Sequence, residues 1–238
     1  MLISVHIPKT GGATFQKLLQ QHFADSYYGD YDDIVIAGIN YRPKIVRSTL
    51  DRLRYCCADK HKLIRSNVSC IHGHFLATKY DRWFPGNRKA AWLRDPLQRV
   101  ISHYKYWQRS PSPKNPIYVD LMNKGFGFQD FVKEPRLQNL QTRYLDGTDL
   151  EEYLFVGLME EYQKSLDLFK RILAIDPDLN VARLNMNPER KSSVGYELEQ
   201  MDGALLEEFA ELNREDFMLY QKARRVFDRL CTKCLPCP

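Results

Sequence analysis

Residues 6–15 read HIPKTGGATF. A short apolar run, Leu2 to Val5, precedes this stretch, and after it Phe15, Leu18, Leu19, His22 and Phe23 recur on one side of a 3.6-residue period. The pattern predicts strand, glycine loop and helix. Gly11 and Gly12 remove the Cβ atoms that would keep a ligand from the loop backbone, and the following helix points unpaired N–H groups and its positive dipole end at the loop. Such a turn suits an anion. Lys9 adds a mobile positive charge, and Thr10 and Thr14 add hydroxyl donors. The order is not that of the nucleotide-triphosphatase loop GxxxxGK[ST], whose lysine follows the glycines. A glycine-rich turn with no ligand is the competing reading of this segment taken alone.

Working outward, residues 87–107 read NRKAAWLRDPLQRVISHYKYW. An apolar strand, Ala90 to Leu93, runs into Arg94, Asp95 and Pro96, and a proline in the first turn presets the helix that follows. Val100, Tyr104 and Trp107 share one face of that helix, with Arg99 and Ser102 on others. A guanidinium makes bidentate charge-assisted bonds to a phosphate, and a hydroxyl adds a third donor. The alternative for the same residues is an Arg–Asp pair that pins the strand-helix corner. Between the two segments, residues 67–76 read NVSCIHGHFL. As a strand this puts Cys70, His72 and His74 on one face. Those residues can be buried histidines bonded to backbone carbonyls, a crowded metal set with no carboxylate nearby, or a general base for removing a hydroxyl proton near neutral pH.

The Pro-Lys-Thr-Gly-Gly-x-Thr loop after an N-terminal strand, the HGH triplet and the strand-RDPxxRxxSxY-helix segment together resemble the sulfotransferases that use 3′-phosphoadenosine 5′-phosphosulfate (PAPS), above all the heparan sulfate 2-O- and 6-O-sulfotransferases. The resemblance spans most of the chain and is strongest over residues 5–107. It implies an α/β fold of the P-loop-NTPase-like sulfotransferase type, a central parallel sheet flanked by helices on both faces. Strands alternating with helices point the same way, with the ligand expected at the carboxyl ends of the strands. The resemblance also implies residue roles. Lys9, Thr10, Gly11, Gly12, Ala13 and Thr14 would hold the 5′-phosphosulfate, Arg94 and Ser102 the 3′-phosphate, and Ser192, with its neighbours Lys191 and Ser193, would touch the nucleotide. His74 would be the base, His72 would support it or position the acceptor, and Lys9 would stand beside the bond that breaks. No metal is required, and adenosine 3′,5′-bisphosphate (PAP) is the product. Gln141 and Arg143 match a weaker Gln-x-Arg feature of the 6-O branch.

The chain has 238 residues, 44% of them hydrophobic, and no linker-like segment divides it, so a single domain over 1–238 is expected. No apolar run is long enough for a bilayer, and the first strand leaves no room for a signal peptide. A cytoplasmic enzyme is therefore expected, with the lumenal domain of a Golgi relative as the alternative. The net charge is +5, and residues 42–65 hold nine basic side chains against Asp51 and Asp59. That run is either a solvated helix face or a surface for an anionic glycan, the acceptor class also favoured by the carbohydrate branch of the family. Nucleic acid is not expected, because no aromatic interleaving or nucleic-acid motif accompanies the charges. Of six cysteines, Cys56 and Cys57 are adjacent and Cys231, Cys234 and Cys237 form CxxCxxC, one ligand short of a zinc site unless a distant group completes it. Without a secretory signal, reduced thiols are the default.

Further elements follow from pattern. Residues 25–33 read as irregular, 34–39 as a short strand, 42–65 as largely helical and 110–116 as a proline-rich loop. Residues 126–132 and 136–144 read as short helices, 153–158 as a strand, 159–175 as a helix, 180–188 as a loop and 205–230 as one or two amphipathic helices. Two rival functions stay open at this stage. A small P-loop kinase would need the Walker lysine that is missing here, and a non-catalytic polyanion-binding module would use the basic run alone.

Overall fold

The computed structural model describes residues 1–36, 39–41, 67–176, 179 and 201–234. The basic run at 42–65, Cys56, Cys57 and Cys237, and the 180–193 segment with Lys191, Ser192 and Ser193 lie outside the described residues.

Five parallel strands form the central sheet. They are β1 (Leu2–Val5), β2 (Tyr27–Asp30), β5 (Cys70–Gly73), β6 (Arg88–Leu93) and β7 (Phe155–Leu158), in the spatial order β2-β5-β1-β6-β7. Two further strands, β3 (Ile34–Ile36) and β4 (Ile39–Tyr41), pair antiparallel beside it. β1, β5 and β7 are buried along their whole length, as expected of parallel strands covered on both sides. The helices are α1 (Gly12–Phe23), α2 (Pro96–Arg109), α3 (Pro116–Asn123), α4 (Phe128–Lys133), α5 (Leu140–Leu145), α6 (Tyr162–Ile172), α7 (Gly203–Leu212) and α8 (Arg214–Cys234). Among the described residues no helix is long and apolar enough to cross a membrane.

Phe15 of α1 decides how the first helix seats. Its ring lies edge-on to His72, Trp92 and Phe169, and stacks on Phe155 at 6.0 Å, so one aromatic side chain joins three strands to α6. α8 runs against β7 and α5. α2, α3, α4 and α7 share a second buried apolar cluster around Trp107, Phe128, Phe131 and Phe209.

Three stretches differ from the pattern-based expectation. The tyrosine- and aspartate-rich stretch contains edge strand β2, which pairs in register with β5. Its alternation is hidden because it is polar and largely solvated, with only Asp30 buried. The 34–39 run is split between β3 and β4 outside the main sheet. The proline-rich loop gives way at Pro116 to α3, where proline occupies the first turn and the Asn115 side chain accepts from the Ile117 N–H at 3.0 Å.

Candidate active site

Three of the candidate residues follow the carboxyl ends of parallel strands. β1 leads into the Lys9 loop, β5 into His74 and β6 into Arg94.

The loop is built on two left-handed residues, Lys9 at φ 72° and Gly11 at φ 86°, with Thr10 between them. Successive turns of this kind aim backbone N–H groups at one concavity. Thr10 is buried and its hydroxyl donates to the Ile7 carbonyl at 2.9 Å, so that side chain closes the loop from within. Thr14 is buried in the first turn of α1, and Ala13 is half-buried beside it. α1 starts at Gly11 with no side-chain cap and no acidic residue in its first turn, so its N-terminal amides keep their attraction for an anion.

The glycines have a packing reason that the sequence did not disclose. A Cβ on Gly12 would come within 1.8 Å of His6 Nε2, and one on Gly11 within 2.4 Å of Met159 Sδ. The pair therefore admits the His6 ring and the Met159 thioether beneath the loop, besides exposing its backbone.

His6 is the residue that sequence reasoning passed over. Its ring stacks on His72 at 5.3 Å and on His74 at 4.5 Å, and its Nδ1 lies 3.2 Å from the Tyr31 hydroxyl. Tyr31 stands edge-on to all three imidazoles. His72 is 1% exposed, with Nδ1 2.8 Å from Ser4 Oγ on the neighbouring strand β1. His74 is half-buried, and its Nδ1 lies 2.6 Å from the His6 carbonyl oxygen. A carbonyl can only accept, so Nδ1 carries the proton and Nε2 carries the lone pair. Burial holds the His74 pKa below the usual imidazole value, partly offset by the His6 carbonyl and the Asp30 carboxylate. At neutral pH the ring is uncharged, the form a proton acceptor needs.

Asp30 belongs to a buried group of its own. Lys79 bonds both Asp30 and Asp33, the latter at 2.7 Å, and the Tyr80 hydroxyl donates to Asp30 at 2.5 Å. The Asp30 backbone carbonyl accepts the His74 N–H at 2.9 Å, which ties edge strand β2 to the histidine.

Opposite the histidines lie the cations. Lys9 Nζ stands 3.9 Å above the ring of Tyr106, an exposed residue on α2. Its pKa is lowered to about 8, first by burial and then by repulsion from Arg94 and Arg109. Three positive groups thus share one region. Arg94 Nη1 donates to the Lys9 carbonyl at 3.3 Å, which joins the two candidate anion-binding segments directly. The Arg94–Asp95 corner is not a mutual ion pair. Asp95 instead caps α2 by accepting the Gln98 N–H at 2.9 Å. Ser102 is half-buried two turns along that helix, and Arg99 is 1% exposed with Nε and Nη1 unpartnered among the described residues. Among the described residues no group of three or more His, Cys, Asp or Glu could hold a metal ion.

Comparison with known proteins supplies the class to which this fold and loop arrangement belong. A sulfotransferase family model matches residues 1–223, and the chain belongs to that family. Among solved structures it is similar to a sulfotransferase from Alicyclobacillus acidocaldarius, at 17% identity and a TM-score of 0.50, covering 95% of each chain. It is also similar to a mouse sulfotransferase complexed with PAP, at 14% identity and a TM-score of 0.48, covering 97% of this chain and 88% of that one. No curated protein matches. The first of these likenesses shows a common fold, and the family match makes the chain a sulfotransferase.

Proposed function

We propose that this chain, acting as one domain, moves the sulfuryl group of PAPS to a hydroxyl of a carbohydrate acceptor, with an acidic glycan as the acceptor class. The residues present suit the donor. Lys9 lies near Arg94 and Arg109, whose repulsion adds to burial in lowering the Lys9 pKa, and the uncapped amino end of α1 adds oriented N–H groups. Such a set favours a ligand bearing several negative charges. Arg94 with Ser102 is assigned to the 3′-phosphate, and the backbone of residues 10–14 to the phosphosulfate.

The observation that carries the reading is the 2.6 Å contact between His74 Nδ1 and the His6 carbonyl. It fixes the proton on Nδ1, and with burial keeping the ring uncharged it leaves the lone pair on Nε2, while joining His74 to the loop that would hold the donor. His74 Nε2 takes the proton as the acceptor oxygen bonds to sulfur and the bond from sulfur to the phosphate oxygen breaks. Lys9 and the Gly11 and Gly12 amides meet the charge left on that phosphate. The rings of His6 and His72 hold His74 in place.

Replacing His74 by alanine should reduce kcat by about a hundred- to ten-thousand-fold. Affinity for PAP, read by calorimetry, should be unchanged. Near-normal turnover at saturating PAPS would remove His74 from the role of base. A panel of neutral, carboxylated and sulfated glycans, assayed by PAP release, tests the acceptor class; turnover confined to neutral or non-carbohydrate hydroxyls would overturn it.

A further inference from the structure

Arg94 is the first residue beyond β6, so no neighbouring strand fixes its peptide groups. Gln141 does so instead. Its Oε1 accepts the Arg94 N–H at 2.9 Å and its Nε2 donates to the Arg94 carbonyl at 2.9 Å. A side-chain amide thus plays the part of a paired strand residue and prolongs the ladder by one position. Because the amide binds both polar groups of one residue, it restrains the φ and ψ of Arg94 and hence the direction of its Cα–Cβ bond.

Gln141 is itself anchored. It is fully buried in the first turn of α5, and the equally buried Asp216 of α8 accepts the Gln141 N–H at 3.2 Å, the Thr142 N–H at 2.8 Å and the Thr142 hydroxyl at 2.9 Å. Asn139 and Asn213 close the same junction. The Asn139 N–H donates to Asn213 Oδ1 at 3.0 Å, and the Asp216 N–H donates to Asn139 Oδ1 at 3.1 Å. The next peptide of the corner is held in parallel, since the Asp95 N–H donates to Glu160 and the Tyr220 hydroxyl donates to the other oxygen of Glu160 at 2.7 Å. Asp216 and Tyr220 lie four residues apart on one face of α8.

The geometry points to Gln141 as a positioning residue that acts through Arg94 and sets discrimination for a nucleotide bearing a 3′-phosphate, with Asp216 of α8 as its anchor. The inference rests on the assignment of Arg94 to that phosphate. A residue that merely supported the fold would weaken all nucleotides alike when lost. A residue that aims the guanidinium should weaken only the ligand that carries the 3′-phosphate.

The test compares PAP with adenosine 5′-phosphate by calorimetry in the full chain and in Gln141→Met, Arg94→Ala and the double variant. Gln141→Met keeps the side-chain volume and removes both bonds. It should lower PAP affinity about tenfold, as expected for two lost buried hydrogen bonds, and leave adenosine 5′-phosphate within about twofold. In the Arg94→Ala background the same change should add nothing. If Arg94→Ala narrows the ratio of the two affinities and Gln141→Met does not, the positioning role is wrong and the 3′-phosphate assignment stands. If Arg94→Ala leaves the ratio unchanged, both fall. Should Gln141→Met fail to fold, Gln141→Asn draws the amide back by one methylene and carries the same expectations.

Discussion

Lys9 loses its proton near pH 8, chiefly because burial disfavours the cation and further because Arg94 and Arg109 repel it. His74 is displaced in the same direction from a lower starting point, with a pKa below 6.5. In the proposed mechanism the two requirements are opposite, since Lys9 must be charged to meet a developing negative charge and His74 must be neutral to accept a proton. The kcat/KM profile, which reports the free enzyme, should therefore hold a plateau whose acid limb lies below the usual imidazole range and whose alkaline limb lies near pH 8. A Lys9→Arg enzyme, whose guanidinium does not titrate in this range, should keep the acid limb and lose the alkaline one. An alkaline limb that stays near pH 8 in that variant would assign it to another group. Arg109→Gln should move the limb upward by removing one source of repulsion, and only partly, because burial is the larger cause.

At the scale of elements, the loop and its helix are held by what the two glycines admit. Gly12→Ala would drive a methyl group into the His6 ring and force that ring out of its stack on His72 and His74. The expected cost is about 1–3 kcal/mol of stability by denaturant unfolding, together with a fall in kcat. In a His6→Ala background the same substitution should cost much less, and equal costs in both backgrounds would show that the collision is relieved some other way. These contacts also mark what was legible in the sequence. Strand, loop and helix over residues 2–23 and the β6–α2 corner were readable because each depends on a local period or on a proline and a cap a few residues apart, whereas the strand read over 67–76 is confined to Cys70–Gly73 and leaves His74 just beyond it. The His6 ring was not readable, because its stacking partners lie 66 and 68 residues away, at the end of another strand and just beyond it. Asp216 and Gln141 meet across 75 residues, and no spacing rule announces that contact. β2 was missed for a different reason, since an edge strand with one buried residue leaves almost no apolar alternation to read.

Among the described residues four histidines, His6, His72, His74 and His103, have their pKa lowered, each mainly by burial. In the unfolded chain these groups take up protons near pH 6.5, whereas His72 in the folded protein does so only at about 3. The unfolded state then binds more protons throughout that interval, so the folded state is favoured above pH 6.5 and loses stability as pH falls below it. Each histidine that stays neutral contributes a slope of about 1.4 kcal/mol per pH unit. Urea unfolding followed from about pH 7.5 to about pH 5 should show this decline, and His72→Gln should make it shallower by about one proton. A decline of the same steepness in His72→Gln would mean that His72 is already protonated in the folded protein.

One bond described above also limits how this scaffold can be rebuilt. The proton on His74 Nδ1 is directed by the His6 main-chain carbonyl, so the proposed base and the glycine loop cannot be exchanged separately. A loop grafted from another nucleotide-binding protein would bring its own path at residue 6, and with it a different tautomer or a misdirected ring at residue 74. Redirecting the enzyme to other acceptors is accordingly safest at surfaces that leave residues 6–12 and 72–74 together, because these two segments form a single structural unit.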